Sequence, residues 1–301
     1  MAEDGHLYTL SPIVDAAGVK LNYTGRNVAS TFPGYCSFHD THVFKEIDFD
    51  EKNVPDTLSS KQMIIFFLRA ISIEGWKKQS IVNSMKDLSL ALEKNDFKKI
   101  SEILEISFEM AKEVIVNPDA IIWSLKGHVQ GLKDMQELMG TLLWQIANNK
   151  FHGTINYHWK FSSGSNIAVA SGVSPLWDTK GKKLYASIRG PGLEEKMCHV
   201  GITIFEFGGQ TNVLMSCLKK DHEVLKELFS QINDLSKNES EFKTWLTEFI
   251  LENCENVVFR PSFINKLSPD QKNELEAAAC WNLMHSQPPK KNLSFCFFRN
   301  N

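Results

Sequence analysis

Apolar residues change their spacing near Asn149 and change back near Asp221, and that pattern limits the folds open to this chain. From Ser59 to Asn149 they recur every three or four residues. "FKKISEILEISFEMAKEVIV" shows it, with Ile100, Ile103, Leu104, Phe108, Ala111 and Ile115 at helical spacing, while "QMIIFFLRAISIEGW" is apolar on most sides, as a buried helix is. The segment after Pro118 continues the pattern, loosened at Gly127 and Gly131. From about 150 to Leu218 the apolar residues gather instead into short β-prone runs such as "NIAVAS", "KKLYASI", "GITIFEF" and "TNVLMSCL". Helical periodicity returns after Asp221. Segregated helices and strands predict an α+β fold, a helical layer packed on a mainly antiparallel sheet with C-terminal helices. Residues 1–58 read as an irregular, partly β segment, 59–149 as helical, and 150–301 as sheet plus C-terminal helices. A chain of 301 residues with 43% hydrophobic residues can bury all three as one domain.

Local signals place several element ends. Ser59 and Ser60 are N-cap candidates for the first long helix. Gly208-Gly209-Gln210 marks a hairpin turn between two apolar runs. Asp178 and Gly181 suit a turn in "PLWDTKG". Ser268-Pro269-Asp270-Gln271 has a capping Ser, an early Pro and a Gln three residues on, which predicts a helix start. The C-terminal "KKNLSFCFFRNN" is expected to lie against the sheet as a strand or to dock on a partner. The tryptophans at 123, 144, 159, 177, 245 and 281 are scattered, as core or interface anchors are.

A net charge of −3 gives no overall attraction to nucleic acid or to anionic membrane. The start "MAEDGHLYTL" is acidic, with no apolar stretch after it, so no export signal is expected. The cysteines at 36, 198, 217, 254, 280 and 296 form no CxxC pair. They are expected to be free thiols in a reducing cytoplasm. The composition names no partner. A protein partner or self-association stays open, no membrane is expected, and nucleic acid is not indicated by the net charge, which still leaves room for a local basic patch.

Chemistry-bearing residues crowd into "GYCSFHDTHVF", residues 34–44. If a helix begins after Pro33-Gly34, Cys36, His39 and Asp40 share one face. A thiol at a helix N-terminus beside an oriented imidazole is the arrangement that nucleophilic catalysis needs. Cys36 would be the nucleophile, His39 or the distant His199 the base, and Asp40 the orienting carboxylate. The same atoms allow a zinc reading, with Cys36-x-x-His39 as one half-site and Cys198-His199 as the other. Adjacent strand residues point to opposite faces, so Asp40 or His42 would have to complete that set. No cofactor other than such a zinc ion is expected. In the plainest reading Asp40 caps a turn and Cys36 packs inside.

Two resemblances bear on these residues. "MCHVGITIFEF" resembles the "HVGI" strand of the NlpC/P60 cysteine peptidases, which implies His199 as a strand-borne base facing a helix-start Cys. "HD" at 39 and 40 is similar to the dyad of the HD-domain phosphohydrolases, although a β half does not suit their helical bundle. Over most of the chain, "GYCSFHDTHVFKEID", "FFLRAISIEGWKK", "NIAVASGVSPLWDTKGKKL" and "VVFRPSFINKLSPDQKN" resemble a group of bacterial proteins without an established activity. That resemblance points to Cys36, His39, Asp40, Phe44, Asp48, Arg69 and Glu74. Arg69 and Glu74, charged on an otherwise apolar helix, become candidates for substrate binding; the plain alternative is an ion pair with no further role. Two functions follow: a thiol-dependent hydrolase, or an interaction protein of a stress, toxin or phage-defence system whose Cys/His cluster is structural or zinc-bound.

Overall fold

The computed structural model describes residues 1–12, 18–29, 34–49, 55, 57–113, 118–185, 197–279 and 293–299. In chain order the strands are β1 (His6–Pro12), β2 (Val19–Gly25), β3 (Thr154–Phe161), β4 (Ile167–Val173), β5 (Val200–Phe207), β6 (Gln210–Leu218) and β7 (Val257–Phe259). The helices are α1 (Arg26–Ala29), α2 (Ser37–Phe44), α3 (Ser60–Glu93), α4 (Phe97–Leu104), α5 (Phe108–Glu113) and α6 (Pro118–Ala147). After the central strands come α7 (Lys219–Leu235), α8 (Glu239–Asn253), α9 (Pro261–Ile264) and α10 (Pro269–Ala278). A single seven-stranded sheet in the order β2-β1-β7-β4-β5-β6-β3 pairs antiparallel throughout. The fold is α+β. The strands of the first 58 residues belong to the same sheet as those after residue 150.

Residue alternation decides what each sheet face holds. Ile167, Val169 and Val173 of β4, with Val200, Ile202 and Ile204 of β5, point into the main core against α7 and α8. On the other face β4 and β5 present Gly172 and Gly201, which lie directly opposite each other. A Cβ on Gly201 would sit 2.1 Å from Cδ2 of Phe67, and one on Gly172 would sit 2.5 Å from Cδ1 of Ile71. The glycine pair is thus a trough into which α3 settles. The helix places Ile64, Phe67, Leu68 and Ile71 in a second core with Met135, Leu138 and Leu142 of α6. Phe44 and Ile47, from α2 and the turn after it, close a third against Met63, Ile65 and Phe66.

The helix and hairpin ends follow local chemistry. Ser59 accepts from the Gln62 backbone while Gln62 reaches back to the Ser59 N–H, a complete capping box, and Ser268 with Gln271 repeats it. Gly208 and Gly209 turn the β5–β6 hairpin at φ +56 and +77, the values a two-residue turn needs at both positions. Asp178 Oδ1 accepts from the N–H groups of Lys180 and Lys182. α6 is continuous through Gly127 and Gly131 rather than loosened there.

The one helix expected from Phe97 is instead two, because Glu105 adopts φ +53 and ends α4. Ile115 lies outside the described residues, and Phe108 is exposed rather than on a core face. "KKLYASI" forms no strand over its described part; Lys183 makes only an isolated bridge to Trp177. The tail 293–299 lies against its own sheet: Phe298 bridges Ser165, Phe297 is fully buried, and Lys243 Nζ donates to the Arg299 carbonyl at 3.0 Å. Among the described residues no helix is long and apolar enough to cross a membrane.

Candidate functional site

Beside the glycine trough, α3 and the sheet part company. On the face where Gly172 meets the helix, β4 carries only Ala170 and Ala168 farther along. β5 there carries Thr203 and then Phe205. The small side chains leave a groove of about 840 Å³, floored by Ala168, Ala170, Thr203 and Val258 and reaching Thr9 and Leu10 of β1. Phe66, Arg69, Ile73, Trp76 and Lys77 form one stripe of α3 along it, roughly 16 Å long at 1.5 Å per residue. Aromatic rings wall one end: Phe66 stacks on Phe205 at 5.2 Å, and Phe49 stands against both Phe66 and Phe207.

Charged groups sit on the rim in two places. Arg69 lies over the Phe44 ring and reaches Asp48 at 3.9 Å, with both side chains substantially exposed. Lys77 meets Glu255 at 3.7 Å. Behind the groove, Glu74 is buried. Its Oε1 accepts from Asn256 Nδ2 at 2.7 Å and from Ser171 Oγ at 3.2 Å, while Ser171 Oγ accepts from the Asn256 N–H. Burial, and then the nearby Glu255 charge, push its carboxyl up to about 7. Arg69 and Glu74 therefore form no ion pair with each other. Arg69 lines the groove, and Glu74 supports Asn256, which lines it too.

The Cys/His/Asp cluster lies elsewhere. Cys36 immediately precedes α2 and is exposed, not packed inside, and its carbonyl accepts the Asp40 N–H at 2.9 Å. Asp40 is exposed in the first turn and does not cap the helix. His42 is exposed, with Nδ1 bonded to the Phe38 carbonyl. The side chain of His39 lies outside the described part of the structure. Tyr35, next to Cys36, bonds to Ser72 on α3.

His199 is buried at the entry to β5, where Nδ1 shares a 2.8 Å hydrogen bond with Ser174 Oγ. Its neighbour Cys198 packs into the core on the other face and donates its N–H to the Tyr185 hydroxyl. Burial raises the thiols of Cys198 and Cys217, the latter to about 12. Cys36 and Asp40 stand at the start of α2, and His199 lies at the head of β5, bonded to Ser174. Among the described residues no three His, Cys, Asp or Glu side chains group as a metal site would. The groove itself was signalled in the sequence only by the small-residue face of "IAVASGV".

Comparison with protein-family models, with curated proteins and with solved structures finds no match to this chain.

Proposed function

We propose that the protein binds an elongated, largely apolar small molecule with an anionic head group in the groove between α3 and the sheet. The single observation that supports this most is the groove itself: concave, about 840 Å³, floored by alanines and valine, walled by aromatic rings, with few polar groups at its rim. Arg69 is the anion-binding candidate. Its contact to Asp48 is long and exposed, and such a pair contributes little, so a carboxylate or phosphate can displace it. No disulfide joins the five described cysteines, which supports placing this activity in a reducing compartment such as the cytoplasm.

Decanoate and decanol serve as probes. Ala170→Leu should fill the groove and remove binding of both, while Arg69→Gln should weaken decanoate by about tenfold and leave decanol unchanged. Calorimetric titration measures this, and unaltered affinities in the Ala170 variant would sink the proposal.

A second reading, the thiol-dependent hydrolase, draws on the exposed Cys36 sulfur at the entry to α2. It predicts that Cys36 alkylates at pH 6 faster than a free cysteine derivative and that Asp40→Asn slows it. A rate equal to that of the free thiol removes this reading.

A further inference from the structure

We infer that Glu74 fixes the Asn256 side chain with its amide nitrogen held inward and its carbonyl oxygen available to the groove. The ligand at this end would then carry a hydrogen-bond donor, a hydroxyl or N–H. This rests on the groove reading above and names which ligands the groove prefers.

The geometry is a relay of three bonds. The Asn256 backbone N–H donates to Ser171 Oγ at 3.1 Å, so the Ser171 hydroxyl proton is left for Glu74 Oε1, at 3.2 Å. The same Oε1 takes Asn256 Nδ2 at 2.7 Å. A carboxylate oxygen can only accept, so the amide must turn its NH2 toward Glu74. Asn256 Oδ1 accepts no hydrogen bond among the described residues, and Asn256 lines the groove. The groove thus offers an oriented acceptor at the Lys77 end of the α3 stripe. Arg69 offers an anion site about 12 Å away along the helix. An apolar body with an anionic head and a donor at the far end matches both.

The strength of the hold depends on the charge of Glu74, because a hydrogen bond to a carboxylate is stronger than one to a neutral carboxyl. The charged groups around it are Glu255 ahead of β7 and Lys77 and Lys78 on α3. His128 of α6 faces Lys78 and Glu255. β4 brings only Ser171 and Gly172. With its carboxyl raised to about 7, Glu74 changes charge near neutral pH, and the donor preference should fade below that.

The probes are 10-hydroxydecanoate and decanoate, compared by calorimetry at pH 8.5 and pH 6. Wild type should bind the hydroxy acid roughly three- to tenfold more tightly at pH 8.5 and show less preference at pH 6. Asn256→Leu should bind both probes equally. In Glu74→Gln, Ser171 keeps an amide oxygen in the place of Oε1, so the preference should persist at both pH values. Should Asn256→Leu fail to fold, the double variant Glu74→Leu/Asn256→Leu, which removes the buried charge with its partner, carries the same test.

Equal binding of the two probes at pH 8.5, in a groove that Ala170→Leu still blocks, overturns this inference and leaves the groove reading standing. So does a preference that survives in Asn256→Leu or fades equally in Glu74→Gln. Binding of neither probe, or binding that Ala170→Leu does not diminish, overturns the groove reading and the inference together.

Discussion

The same helix meets the same two strands in two opposite ways. At Gly172 and Gly201, α3 lies against bare backbone, and Ile71 and Phe67 occupy the volume that side chains would fill. Two to four residues farther along, at Ala170, Ala168, Thr203 and Phe205, the helix stands clear and the groove opens. On β4 a difference of one methyl group, Gly172 against Ala170, lies between a packed interface and a cavity. Close packing in the trough fixes the helix, and the fixed helix holds the groove open beside it. Stability and the proposed binding therefore fall to neighbouring residues on one sheet face, and substitutions should separate them.

The largest effect is expected in the trough. Gly201→Ala forces Phe67 or the whole helix to move, and overpacking of this kind costs about 3 kcal/mol. Urea unfolding measures it, and a loss below about 1 kcal/mol would mean that the helix is not seated on the glycines.

Glu74, between the two regions, comes next. Its carboxyl is raised in the folded protein, so folding favours the protonated form. That contribution is complete below the unfolded value of about 4.5 and is lost as pH rises through about 7. Glu74→Gln should therefore match wild type in stability near pH 4.5. Its advantage should grow to as much as about 3 kcal/mol at pH 8. A constant difference across that window contradicts the assignment.

The smallest effect belongs to the groove. Ala170→Leu should alter stability by less than about 0.5 kcal/mol while removing ligand binding. If it destabilises the protein as Gly201→Ala does, the groove is packed core and not a site.

Beyond the α+β class, legible in the segregated helical and strand patterns, what could be read from the sequence was local. The Gly208-Gly209 turn and the Ser59–Gln62 and Ser268–Gln271 capping boxes depend on residues at most three apart, and they appear as the chain suggests. The break at Glu105 was hidden because a glutamate rarely adopts a left-handed conformation. Glu74 stood out as a charge on an apolar helix, but its partner Asn256 is 182 positions away. The groove was equally hidden. Its floor is assembled from β4, β5, β7 and β1, and no spacing within one strand reveals which small face lies beside which helix. The cluster at residues 36–42 drew attention by its composition, yet its described members sit at the surface, apart from the groove.

The sheet also imposes an order in time. The β1–β2 hairpin forms from residues within one short stretch, but its place in the sheet is beside β7, with Tyr8 opposite Phe259. Its long-range partners are Val258, Phe259, Asn265 and Glu276, and Ser262 bonds to Glu3 just ahead of β1. During synthesis the hairpin therefore precedes its partner strand by a long interval and waits, one edge unpaired, until the residues between Gly25 and Val257 have followed. Contacts so distant in sequence close slowly. Until β7 arrives, that edge stays open to pairing with a neighbouring strand.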